Sequence, residues 1–150
     1  MKRYQKWLLI PAIIIIAISI LSGFSNPDAE KEAKKLLHMR TDLLQKAFYQ
    51  QISLEEVEKK LSEIESYPLL TEDIHSLREW DASQLDLVKQ MNIVSFKQEK
   101  NFMNYLTYKA DIYWDMISLD ENYTMKGRYY IVLKKENDQF KLSAFDPINK

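Results

Sequence analysis

From Asp28 to about Trp80 the apolar positions fall at helical spacing, and beyond about Leu85 they fall at every second residue. Ala33, Leu36, Leu37, Leu43, Leu44, Ala47 and Phe48 recur at intervals of three, four and seven, which predicts a helix over 28–49. Ser53 to Glu56 reads Ser-Leu-Glu-Glu, the capping-box form, in which a serine oxygen takes a free amide and a glutamate follows three residues later. It predicts a second helix with Leu54, Val57, Leu61 and Ile64 on one stripe, stopped by Pro68. A third, shorter helix is predicted from Thr71 to Trp80, with Ile74 and Leu77 on one side and Asp73 and Trp80 at its margins.

Phe102, Leu106, Tyr108, Ala110, Ile112, Trp114 and Met116 share even numbering, with Tyr105, Thr107, Lys109, Asp111, Tyr113 and Asp115 between them. This alternation predicts a long strand with one apolar and one polar face. After Leu119 to Asn122 a partner follows, placing Met125, Gly127, Tyr129, Ile131 and Leu133 opposite in parity to Thr124, Lys126, Arg128, Tyr130 and Lys134. Asn137-Asp138 is a hairpin signal ahead of Phe140, Leu142 and Ala144, and an earlier strand is expected through Leu87, Met91, Ile93 and Val94. Gly127, inside a strand, predicts a bulge or bend. The expected fold class is α+β, with two to three helices packed on a curved four-stranded antiparallel meander.

The first 25 residues follow neither pattern. Leu8 to Phe24 carries no charge, and its polar side chains are Ser19 and Ser22. Seventeen residues of helix reach about 26 Å, close to a thin hydrocarbon core. Lys2, Arg3 and Lys6 precede the run, so its start is expected on the cytoplasmic side and the body outside. The domain division is therefore an N-terminal membrane anchor at 1–25 and an extracytoplasmic α+β domain at 26–150. The competing reading is a cleaved signal, whose best site follows Ser25 with Gly23 two residues before it and no Ala-x-Ala. Asn26-Pro27 is expected to end the apolar helix and hinge the body to it.

Composition narrows the chemistry. Basic and acidic residues number 21 and 22, and leaving out the three basic residues at the start leaves 18 against 22 in the body. A mildly acidic body offers no electrostatic attraction for nucleic acid. Cysteine is absent, which excludes disulfides, thiolate metal sites and a cysteine nucleophile. Two glycines in the chain leave no material for a phosphate-cradling loop.

The order of helices and long strands over residues 28–146 resembles the nuclear-transport-factor-2-like and cystatin-like superfolds. The resemblance is one of element order and implies no activity by itself. Single-anchor proteins of conjugation and secretion machineries carry such domains outside the membrane, so it points to an envelope protein or self-association as partner.

No catalytic, cofactor or metal set is expected. His38 and Asp42, and His75 and Glu79, have ligand spacing on helices, but two histidines fall short of a closed site. Asp111 and Asp115 lie four apart on one strand, about 13 Å, too far for a paired-carboxylate mechanism. Two candidate sets remain. Tyr105, Lys109, Asp111, Tyr113, Asp115, Arg128 and Tyr130 mix tyrosine with charge on the polar face, a composition of protein interfaces. Tyr108, Trp114 and Tyr129 lie on the apolar face, as core or as the lining of a small-ligand pocket. The first set favours a non-enzymatic protein-interaction domain, the second a ligand-binding one; a hydrolase ranks third.

Overall fold

A computed structural model describes residues 26–79, 86–118 and 121–148. Helix α1 spans Pro27–Phe48, α2 Leu54–Ile64 and α3 Leu69–Glu79. Strands β1 (Leu87–Phe102), β2 (Tyr105–Ile117), β3 (Asn122–Glu136) and β4 (Gln139–Pro147) form one antiparallel sheet in the order β1-β2-β3-β4. The predicted α+β meander is the observed one. The apolar run expected to cross a membrane lies outside the described residues, and among these no helix is long and apolar enough to do so.

Local chemistry accounts for the helix starts. Asn26 caps α1, its side chain accepting from the Asp28 and Ala29 amides at 3.2 Å, and Pro27 fills the first helical position. The Asn-Pro pair therefore opens the body helix. Ser53 Oγ accepts from the Glu56 amide at 3.2 Å as the capping form predicts, while the Glu56 side chain accepts from Lys60, 2.7 Å away. Helix α2 ends at Ile64, ahead of Pro68, and the Tyr67–Pro68 peptide is cis. Helix α3 begins two residues earlier than expected, and it buries Leu69 and Asp73 while Ile74 and Leu77 stay half-buried.

The sheet departs from a flat alternation at four places. Opposite β2, strand β1 carries register shifts at Lys89, Val94 and Glu99, and β4 carries one at Ser143. Each extra residue swaps the faces of everything beyond it and adds twist. Met91, Ile93 and Phe96 all reach the helix side, opposite Trp114, Ile112 and Ala110, and Val94 is left exposed. In β4 the swap puts Leu142 and then Phe145 inward, where Ala144 was expected. Gly127 lies in an unbroken stretch of register and makes no bulge. Its missing side chain leaves room for the Tyr129 ring, which a Cβ would meet at 2.5 Å. Phe102 belongs to the end of β1 and not to β2, paired with Tyr105 across the Met103-Asn104 turn.

Helix α1 lies along the sheet and approaches both β1 and β4. Its cap residue Asn26 donates its amide to Gln98 Oε1, Lys34 sits 5.3 Å over the Phe96 ring, and Thr41 contacts Met91. The core joins Ala33, Leu36, Leu37 and Leu43 of α1, Val57 and Leu61 of α2, and Tyr108, Ile112, Ile131, Leu133 and Leu142 of the sheet. The segment leaving α2 runs beside β4: Ser66 donates its amide to Leu142 O at 2.8 Å, and Lys141 donates to Ser62 O at 2.5 Å.

Candidate functional site: an apolar cleft and a buried ion cluster

The C-terminal half of α1 passes over the Leu87 and Met116 ends of β1 and β2, and the space between them is a cleft of about 220 Å³. Leu44, Phe48, Leu87, Val88, Trp114 and Met116 supply apolar walls, with Arg40, Gln45, Tyr49 and Asp86 at the margins. Tyr123 donates its hydroxyl hydrogen to the Asp86 carboxylate beside it. A larger hollow of about 480 Å³ lies between the α1–α2 connection and Leu77, lined by Gln50, Gln51 and Ser53 without a charged group.

Trp114 is fixed from behind. Its Nε1 donates to Tyr129 Oη at 2.9 Å, and its ring meets those of Tyr129 and Phe145 edge-on at 6.0 and 6.4 Å. Tyr129 stacks on Phe145 at 4.5 Å, and the Arg40 guanidinium lies 4.9 Å from the other partner of that stack, the Phe145 ring. Such edge and stacked contacts set ring orientation as well as burying area. The indole therefore presents a held face to the cleft.

Arg40 continues this column into the interior. Its Nε and one terminal nitrogen donate to the two oxygens of Asp73 at 2.7 Å each, a bidentate pair between α1 and α3. Glu65 Oε1 lies 3.2 Å from Arg40 Nε but accepts no hydrogen bond, because the N–H is directed at Asp73. The Glu65 side chain is wholly buried. Burial first, then the charge of Asp73 and a hydrogen bond to it, push the Glu65 carboxyl up to about 9 against the opposing pull of Arg40. At neutral pH Glu65 is the acid form, and Arg40 is balanced by Asp73 alone. Two acids and a cation this buried pointed to a site the sequence reading missed. The signal lay in Arg40, which interrupts the stripe of Leu36, Leu37, Leu43 and Leu44, and in Asp73, four residues after the buried Leu69.

The residues expected to line a pocket divide. Trp114 lines the cleft, and Tyr129 positions it. Tyr108 is core: it is fully buried, packs on Phe96 at 4.6 Å, and has no partner for its hydroxyl among the described residues. Burial, and then the nearby Glu30 charge, push that hydroxyl up to about 12.

Tyr105, Lys109, Asp111, Tyr113, Asp115, Arg128 and Tyr130 do share the helix-free face of the sheet, with Lys109 opposite Tyr130 and Asp111 opposite Arg128. Their charges are engaged with one another and with neighbours. Arg128 donates to Asp111 at 2.9 Å, and Lys109 to Glu99 at 3.1 Å. Asp115 accepts from Thr124 at 3.0 Å and Asn92 at 3.1 Å, and Lys126 lies 5.3 Å over the Tyr113 ring. Asp111 and Asp115 are thus held by separate partners. His75 pairs with Glu79 at 3.1 Å on an exposed turn of α3, and His38 is exposed on α1. Among the described residues no three His, Asp or Glu side chains gather as a metal site would require. No known protein family and no curated protein matches this chain.

Proposed function

We propose that this protein is a non-enzymatic binding domain, held outside a membrane by its N-terminal apolar run, that receives a small apolar group in the cleft beside Trp114. The cleft carries the reading: its walls are mostly apolar, and the indole of Trp114 among them is locked by a hydrogen bond and edge-on ring contacts. A cavity of ~150 Å³ with aliphatic walls takes benzene, so about 220 Å³ suits an aromatic ring or a short acyl segment. Arg40 is already neutralised by Asp73, and Asp86 is the lining charge without an ion-pair partner among the described residues, held at the rim by the Tyr123 hydroxyl; the apolar walls between them favour an uncharged group. Three helices on a bulged meander support the resemblance to nuclear-transport-factor-2-like and cystatin-like domains. Protein binding through the tyrosine-rich sheet face has less support, because the charges of Asp111, Asp115 and Lys109 are directed at one another's neighbours across the strands.

The test labels the tryptophans with fluorine and follows the Trp114 resonance, assigned with Trp114→Phe, as indole or hexanol is added. A saturable shift that is lost in Leu44→Trp, whose larger ring fills the cleft, supports the reading. A Trp114 resonance that fails to move, with both compounds soluble, overturns it.

A further inference from the structure

We propose that the tip of the β1–β2 hairpin docks into the surface of the membrane from which the chain emerges, with Phe102, Met103 and Tyr105 among the lipid headgroups. This rests on the N-terminal run being a retained anchor, and it assigns the orientation of the body on that anchor.

Three observations carry it. The described chain begins at Asn26, whose amide lies 3.5 Å from the Gln98 side chain. Ser25 alone separates Asn26 from the end of the apolar run at Phe24, a reach of at most about 7 Å. The end of the body that continues into the apolar run is therefore fixed beside the outer half of β1. From that point α1 runs away toward the cleft, whereas β1 continues four residues in the opposite direction, about 13 Å at strand rise. The hairpin thus overhangs the start of α1, at the end of the body where the described chain begins.

The overhang is also the most apolar exposed feature of the described surface. Phe102 is 66% exposed, Met103 83% and Tyr105 43%. Phe102 and Tyr105 are paired across the strands, and Met103 caps them in the turn with a φ of 52°. An aromatic pair with a neighbouring methionine, exposed together at a hairpin end, has the make-up of an interfacial anchor.

The surrounding charge fits a phosphate surface. Lys97 and Lys100 on the same arm are exposed and have no acidic partner among the described residues. Three acids of the strands near the tip are paired, Glu99 with Lys109, Glu136 with Lys134 and Asp138 with Lys135, while Asp28 at the start of α1 is exposed. A net acidic body thus turns a locally basic, apolar corner toward the bilayer.

Because the chain has no cysteine, single probes can be placed cleanly. The full chain is reconstituted in vesicles of phosphatidylcholine and phosphatidylglycerol, with an environment-sensitive dye on Met103→Cys, Phe102→Cys, Asn122→Cys or Ile15→Cys. Dye at 102 and 103 is expected to emit further to the blue than dye at 122 and to be quenched several-fold more by spin-labelled lipid. Dye at 15 reports the anchor independently. Lipid quenching at 15 with 102 and 103 as water-exposed as 122 overturns the docking and leaves the anchor standing. A water-exposed or missing residue 15 overturns both.

Discussion

Arg40 and Asp73 meet through two parallel hydrogen bonds of 2.7 Å, joining α1 to α3 across an otherwise apolar interior. Both side chains are nearly buried, so neither charge has water to fall back on. Removing one partner leaves the other uncompensated, a loss of about 3–5 kcal/mol. Arg40→Ala is expected to lower stability by that order in urea denaturation. Arg40→Met combined with Asp73→Leu is expected to recover most of it, since Glu65 is already uncharged. A double variant no more stable than the single one would contradict this account.

Glu65 makes stability depend on pH. In the unfolded chain the carboxyl ionises near 4.5, and in the fold at about 9. Between those values unfolding releases a proton, so stability falls as pH rises, by up to about 1.4 kcal/mol per unit. The contribution is fully present below 4.5 and is lost by the time pH passes about 9. Glu65→Gln keeps a donor toward Asp73 and cannot ionise. It is expected to gain on the order of 2 kcal/mol at neutral pH, after allowance for relaxation around the charge. The difference between variant and wild type should grow from pH 5 to 8; a constant difference would count against a protonated Glu65.

Tyr108 buries a hydroxyl without a protein partner among the described residues. A buried donor left unpaired costs about 1–3 kcal/mol. Tyr108→Phe keeps the ring against Phe96 and is expected to raise stability by about 1 kcal/mol, read as an increased melting temperature.

Gly127 is predicted to be intolerant of a single added carbon. In Gly127→Ala the Tyr129 ring has to move off its seat, which weakens its stack on Phe145 and its bond to Trp114. A loss of about 1–2 kcal/mol is expected. Trp114 fluorescence should shift to the red as its partner withdraws, while Tyr129→Phe, which keeps the ring, should lose only the hydrogen-bond part.

The sequence made some of this visible and hid the rest for identifiable reasons. In β2, residues 106, 108, 110, 112 and 114 are all buried, as their even numbering foretells, because this central strand has unbroken register with β3. In β1 the inward residues are 91, 93, 96 and 98, and the bulge at Val94 breaks the parity in the middle. No pattern of period two survives that. The Ser143 bulge concealed Phe145 in the same way, and with it the column from Arg40 to Trp114. Trp114 was legible as core or cleft lining, and it belongs to the core cluster while bordering the cleft. The Arg40–Glu65–Asp73 cluster was not, because its members come from three separate segments, and Arg40 on an apolar stripe signals a buried charge without naming its partners.

The bulges have a consequence for assembly. An open sheet edge can recruit the edge of another copy. Here β4 is flanked by the segment leaving α2, through Ser66 and Leu142. Strand β1 is interrupted so often that no continuous ladder on it exceeds four residues. Strand-by-strand growth needs a longer, flatter template. Neither edge therefore offers another copy a long, flat ladder to extend.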